Sequence, residues 1–198
     1  MKTMYIGSGD VSALLAGKST LAHAKLLQQF VSNTYPNYNS KASPIDALRT
    51  GAILEDRYMC YLGDDYYPQY KCTCKEMDVL TCSIDFAKLD KGKIIDFEEL
   101  KTCNFNDFLE LQKQDIEYIK KNYKNNYNQV QHQLLCTGLE YAHLVFVVVY
   151  SYDDEINETR DIKDNEIIKF KINRDDEVIN KIKERAKIFQ TIKDYYND

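Results

Sequence analysis

The 198-residue chain has no tryptophan and only three prolines, seven glycines and three histidines. So little glycine and proline excludes a collagen-like or low-complexity chain. Its strongest apolar run, Leu144 to Tyr150, falls far short of the roughly 18 residues that cross a bilayer, so no membrane contact is expected. Met1 to Gly17 holds no long apolar stretch, so no secretory signal is expected either. Basic charge is also in short supply: 26 Lys and Arg stand against 31 Asp and Glu, a formal net charge of −5. A basic face is the usual footprint of nucleic-acid binding, and the whole chain does not carry one. The acidic balance still leaves such a partner open. A site that gathers carboxylates for metal ions is acidic by construction, and phosphate contacts need only a local groove.

Six cysteines stand at irregular positions, 60, 72, 74, 82, 103 and 136. In a chain long enough to build a core they are read as reduced thiols, which points to a cytoplasmic protein. Cys72, Cys74 and Cys82 raise the question of zinc or an iron–sulfur cluster. No His or Cys pair at ligand spacing accompanies them, so metal-binding thiols are not expected. His23, His132 and His143 are scattered, and His132 is read as structural.

What is present is 44% hydrophobic and 29% charged residues, ordinary for a globular protein, and the length fits one domain over 1–198. Val11, Leu14 and Leu15 follow Ser8 or Asp10 as a capped short helix, and Leu21 to Val31 reads as a second. Ser32 to Ser43 reads as a loop. Ser43-Pro44 opens a helix towards Tyr61, with Ile45, Leu48, Ala52 and Tyr58 expected on its buried face. From Tyr66 the period becomes two. Tyr70 to Lys75, Leu80 to Leu89 and, after the Asp90-Lys91-Gly92 turn, Lys93 to Thr102 form an antiparallel meander. Phe105 to Tyr123 reads as one amphipathic helix and Asn126 to Thr137 as the next, closed by Gly138. Leu139 to Tyr152 holds a strand buried on both faces, Ile167 to Ile172 an edge strand, and Asp175 to Tyr196 a charged terminal helix. Lys181, Lys183, Arg185 and Lys187 on that helix are read as a solvated face, with contact to DNA as the alternative. The expected class is α/β, a central mixed sheet flanked by helices.

Two stretches carry chemistry: Cys82-Ser83-Ile84-Asp85, and Asp96-Phe97-Glu98-Glu99-Leu100-Lys101. Residues two apart on a strand share a face, so Glu99 and Lys101 project together. The turn at 90–92 can bring Asp85 alongside Glu99. Two carboxylates meeting at one point repel unless a cation joins them, and an all-oxygen pair suits Mg²⁺ or Mn²⁺. Lys101 beside them would orient or deprotonate a water and offset charge on a phosphate. The bland alternative is an exposed Glu99–Lys101 ion pair worth under about 1 kcal/mol. Asp96 and Glu98 are expected on the other face, in solvent.

This pattern resembles the PD-(D/E)xK nuclease superfamily, in particular the phage recombination exonucleases of the lambda exonuclease, YqaJ and RecE type. Gly51-Ala-Ile-Leu-Glu55 looks like the family's Gly-x-x-x-Glu helix. Gln129-Val-Gln131, with Thr137-Gly138 trailing, looks like its Gln-x-Gln helix, and Ile6-Gly-Ser8-Gly-Asp resembles its N-terminal segment. Five blocks in the right order cover roughly positions 6 to 150, while Ile84 and Phe86 stand where the family has proline and glycine. The resemblance implies a restriction-endonuclease-like fold, with catalytic roles for Asp85, Glu99, Lys101 and Gln129. One or two Mg²⁺ (or Mn²⁺) ions would be held by Asp85, Glu99, the Leu100 main-chain carbonyl and Glu55. DNA would be met by Ser8, Ser83 and Gln131. It further implies digestion of double-stranded DNA ends, 5′ to 3′, by a ring-like homotrimer working with a single-strand annealing protein, encoded by a phage or prophage in a bacterial cytoplasm. An endonuclease or end-processing nuclease of repair or defence, and a non-catalytic binding protein, are the alternatives.

Overall fold

The computed structural model describes residues 4–32 and 45–197. The expected loop from Ser32 to Ser43 and the Ser43-Pro44 helix start therefore lie, apart from Ser32, outside the described residues. Five strands form one sheet in the order β1 (Tyr66–Thr73), β2 (Thr81–Asp90), β3 (Lys93–Asn104), β4 (Tyr141–Val149) and β5 (Ile167–Asn173). The first three make the expected antiparallel meander; β4 lies parallel to β3, and β5 closes the far edge antiparallel to β4. A parallel neighbour needs a crossover, and three helices supply it: α4 (Phe105–Leu111), α5 (Ile116–Asn122) and α6 (Lys124–Thr137). The single helix expected over Phe105 to Tyr123 is thus two. Asp115 breaks it by capping α5, its carboxylate accepting from the Glu117 and Tyr118 amides. Gly138 ends α6 at φ 75°, the left-handed cap that glycine adopts without strain.

Two cores sandwich the sheet. On one face Ile84, Ala87, Phe97, Leu144, Phe146 and Val148 pack with side chains of α1 (Val11–Leu15), α2 (Leu21–Ser32), α6 and α8 (Asp176–Asn197). On the other, Phe86, Leu100, Val145 and Val147 pack on Leu54 and Tyr58 of α3 (Ile45–Leu62). The run Leu144 to Val149 is buried throughout because both faces of β4 are covered, as its unbroken hydrophobicity required. The face expected for α3 is only partly right. Tyr58 is buried, whereas Leu48 is 65% exposed and Ala52 is exposed; Ile45's side chain lies outside the described residues. A short helix, α7 (Asp154–Thr159), packs on α3 and had no signal strong enough to stand out from loop.

The expectation that Glu98 is solvated is wrong. It is 2% exposed, because its strand face is the one that α3 covers. Its carboxylate accepts from Tyr58 Oη at 2.5 Å and Tyr66 Oη at 3.5 Å, and pairs with Lys169 Nζ at 2.7 Å. Removing one partner of such a pair strands the others in a poorly hydrated place. Glu98→Ala is therefore expected to lower the free energy of unfolding by about 2 kcal/mol in urea titrations. A loss under about 0.5 kcal/mol would mean that Glu98 behaves as a surface residue.

Candidate active site

The site lies where two strands part. β2 pairs with β3 from Asp90 back to Phe86, opposite Glu98, and no further; beyond that point β3 pairs only with β4 and the start of β2 only with β1. The opening leaves ladder groups without backbone partners, and side chains take them up. The Leu100 amide donates to Asp85 Oδ2 at 2.9 Å, and the Ser83 carbonyl accepts from Gln133 Nε2 at 3.0 Å. Asp85 is thereby fixed beside the backbone of β3, next to Glu99.

Glu99 is 1% exposed, so the exposed ion pair that the E-x-K spacing alone suggests is not what forms. Lys101 Nζ lies 2.6 Å from Glu99 Oε1, on the face that α6 covers. Gln129 Nε2 donates to the same oxygen at 2.5 Å, and Gln133 Nε2 donates to Oε2 at 2.5 Å. Gln129 and Gln133 are one helical turn apart and so meet the sheet together. Gln131, expected at DNA, is a correction: it is 0% exposed and turned away from the opening. Its amide donates to the Asn173 carbonyl and its oxygen accepts from the Asp175 amide, tying α6 to the start of α8. The helix offers Gln-x-x-x-Gln to the site, a spacing legible in the sequence had the 3.6-residue period been applied to Gln129 rather than the motif alone.

Glu55, on α3, approaches from the other side and accepts from Gln69 Nε2 at 3.2 Å. Gln69 also accepts from Ser83 Oγ at 3.1 Å. It sits on β1 between the pairs Pro68–Phe86 and Tyr70–Ile84, that is, across from Asp85, and holds φ at 51°. A left-handed backbone at a residue with a side chain costs about 1 kcal/mol or more, and such strain persists where the surroundings fix it. Sequence reasoning missed Gln69, since nothing in a strand pattern flags a left-handed residue. Phe86, the departure from the family's glycine, is buried against Tyr58 with rings 5.3 Å apart and leaves β2 continuous.

Two clefts flank these side chains. One of about 270 Å³ is lined by Leu48, Gly51, Glu55, Leu100 and Lys101. The other, about 520 Å³, is lined by Ser8, Ser83, Lys71, Cys72 and Cys82 among others. Ser8 is held at its wall because the N-terminal segment bridges to β2: the Ile6 amide donates to the Val79 carbonyl at 2.7 Å, and Thr81 donates back to Ile6 at 3.0 Å.

The electrostatics are unbalanced. Burial first, and then the charge of Glu99, push the Asp85 carboxyl up to about 8; the same two causes raise Glu55. Burial alone would lower the Lys101 ammonium, but Glu99, Asp85 and Glu55 outweigh it and raise it. Among the described residues, three carboxylates thus share one ammonium. No group of three or more His, Cys, Asp or Glu side chains is spaced to hold a metal among the described residues. A divalent ion here would draw on Asp85, Glu99, the Leu100 carbonyl and water, a hard-oxygen set that fits Mg²⁺ or Mn²⁺ and that such an ion would relieve of its repulsion.

The architecture is that of the restriction-endonuclease-like α/β fold, a mixed five-stranded sheet flanked by helices. Within it the chain is similar to solved exonucleases. An alkaline exonuclease from Laribacter hongkongensis matches with a TM-score of 0.62 at 18% identity, over 96% of this chain and 88% of that one. The same exonuclease in complex with dAMP matches with 0.61 at 19% identity, over the same shares. A phage-related exonuclease from Haemophilus somnus 129PT matches with 0.64 at 17% identity, over 97% and 94%. No family model and no curated protein matches the sequence.

The raised Asp85 carboxyl has a measurable consequence. Between the ordinary value of 3.8 and about 8 the folded protein keeps a proton that the unfolded chain has released. Stability therefore falls as pH rises through that window and stays lowered above it. Asp85→Asn removes this burden. In chelator-treated protein it is expected to be more stable than the native sequence by about 2 kcal/mol at pH 9 and close to it at pH 4, by thermal melts. Mg²⁺ should raise the melting temperature of the native sequence and not that of Asp85→Asn. A native protein as stable as the variant at pH 9 would show that Asp85 is not under this strain.

Proposed function

We propose that the protein is a Mg²⁺-dependent exodeoxyribonuclease that degrades double-stranded DNA, 5′ to 3′, to leave single strands for phage-type recombination. The observation that carries this reading is the meeting of Asp85 and Glu99 with Lys101 at the parted strands, one cation short of neutrality. The fold, shared with two exonucleases along nearly their whole length, supports it. Mg²⁺ or Mn²⁺, one or two ions, would be held by Asp85, Glu99 and the Leu100 carbonyl, with Glu55 completing the shell directly or through water. Bound there, the ion supplies a more acidic water and draws charge from a phosphate.

The rest of the chemistry belongs to the chain's own side chains. Lys101, kept charged by its three acidic neighbours, lies where charge grows on a scissile phosphate and offsets it. Gln129 and Gln133 hold Glu99 in one orientation beside Asp85 and Lys101. Gln69 does the same for Glu55. Ser8, Ser83 and Lys71 line the larger cleft; Ser8 and Lys71 offer a hydroxyl and one cation to a DNA phosphate, and Ser83 would do so on releasing Gln69. That the Laribacter enzyme was solved with dAMP is in keeping with a nucleoside monophosphate as the released unit. The annealing-protein partner, the ring-like homotrimer and a phage or prophage origin in a bacterial cytoplasm belong to the same proposal and rest on the family resemblance. No helix is long and apolar enough to cross a membrane among the described residues.

End-labelled linear duplex and covalently closed circular DNA, each with Mg²⁺, test this. Linear DNA should be digested and the circle spared. Asp85→Asn and Lys101→Ala should each lower kcat by about 10³-fold or more, and Gln133→Ala by about 10- to 100-fold. Gln131→Ala, which touches no reacting group, should keep its kcat while lowering the melting temperature. Cutting of the circle would make the protein an endonuclease. Binding without turnover in Mg²⁺ or Mn²⁺ would make it a non-catalytic member.

A further inference from the structure

Outside the catalytic cluster the cysteines are not scattered as the sequence suggested. Cys72 on β1 and Cys82 on β2 are direct partners across the antiparallel ladder, and their Sγ atoms lie 3.1 Å apart. Cys74, one residue past the end of β1, and Cys136 on α6 are buried beside them, and the Cys74 thiol donates to the Leu135 carbonyl at 3.9 Å. His132, one turn before Cys136, is fully buried next to Cys82 with neither ring nitrogen partnered. Cys72 is only half-buried, and both Cys72 and Cys82 line the 520 Å³ cleft, so a small solute reaches the pair from solvent.

We propose that Cys72 and Cys82 are a reactive dithiol that closes reversibly to a cross-strand disulfide when the protein meets a peroxide, and that closing it disables the cleft beside Ser83. The chain paths of β1 and β2 already bring the sulfurs to within about 1 Å of the roughly 2.05 Å bond, so closure needs little backbone movement. Hydrogen bonds from Cys136 and Cys72 hold the Cys82 thiol below its ordinary range, which makes Cys82 the nucleophile. Its thiolate attacks one peroxide oxygen and the O–O bond breaks. This leaves a sulfenic acid on Cys82 and a hydroxide that leaves as water once protonated. The Cys72 sulfur then attacks the Cys82 sulfur, the S–O bond breaks, and the hydroxyl departs as water with the Cys72 proton. Two thiols and hydrogen peroxide thus give one disulfide and two waters.

Cys82 adjoins Ser83, whose carbonyl holds Gln133 and whose hydroxyl holds Gln69. Drawing β1 and β2 together at this point shifts both contacts and narrows the wall of the cleft. This consequence rests on the nuclease reading above; the cross-link itself does not.

The test treats the reduced, full-length native protein with hydrogen peroxide, maps its peptides by mass spectrometry without reductant, and follows digestion of linear duplex DNA in parallel. The expected result is a Cys72–Cys82 linked peptide, two hydrogens lighter than its reduced parts. Turnover should fall at least tenfold and recover in dithiothreitol; Cys72→Ser protein should form no such link, and Cys82→Ser protein, which lacks the attacking sulfur, should keep its turnover in peroxide. Oxidation confined to Cys60, a Cys74–Cys136 link in its place, or zinc bound to the thiols as purified would each overturn the dithiol. A Cys72–Cys82 link with unchanged turnover would overturn its effect on the cleft. Reduced protein that never digests DNA would remove the nuclease reading and leave the cross-link standing.

Discussion

Charge repulsion across the gap between β2 and β3 governs this molecule. Asp85 and Glu99 are brought together by backbone geometry, with Glu55 close enough that Glu99 acts on it as well. Among the described residues Lys101 is the one ammonium at the cluster, and the three amide donors that hold its carboxylates are neutral. Hydrogen bonds from neutral groups orient a carboxylate without cancelling its charge. The arrangement is therefore costly as it stands, and on the function proposed above an entering dication would relieve that cost.

The other face of the same strand shows the contrast. Glu98, the neighbour of Glu99 in sequence, is as deeply buried and carries the same charge. It meets one ammonium and two phenol hydroxyls, and so has all the partners a single buried carboxylate needs. One strand thus presents two buried acids back to back, one settled and one under-neutralised. The difference lies in what each face is packed against. α3 brings tyrosines and β5 a lysine to Glu98, whereas α6 brings glutamines to Glu99. The alternation of the strand decides which acid does which.

Much of this was legible in the sequence, because it depends on period and order. The meander, the buried strand β4 and the pairing of Glu99 with Lys101 follow from residues two apart sharing a face. What was not legible depends on irregularity. Gln69 is conspicuous only through a positive φ, a property of the ladder across from Asp85 and not of glutamine. Gln131 was placed at DNA and Gln133 given no role because a motif was read in steps of two along a helix, where a turn brings back a face only after three or four residues. Glu98 misled for a related reason. A strand covered on both faces has no solvent side, and that coverage is set by α3, distant in sequence. The cysteine cluster stayed hidden because Cys136 joins it through the packing of α6 on β2.

The acidic net charge, which spoke against a nucleic-acid partner, also has its explanation in where the charges are spent. Three lysines of α8 are tied down: Lys181 to Glu177 at 2.6 Å, Lys183 to Glu76 at 2.5 Å and Lys193 to Asp78 at 2.8 Å. Lys183 and Lys193 tie the terminal helix to the connection between β1 and β2, Lys181 pairs within the helix, and all three add little to any long-range attraction. The larger cleft carries Lys71 among hydroxyl-bearing side chains, and the smaller one Lys101. A phosphate bound there, as the proposed function requires, would meet mostly neutral donors and one or two cations, and each neutral donor would bind without releasing a counterion. Binding built this way depends weakly on salt, since the slope counts only the charges neutralised. On the nuclease reading proposed above, such binding would select for geometry at a DNA end rather than for polyanion as such, in keeping with a negative net charge.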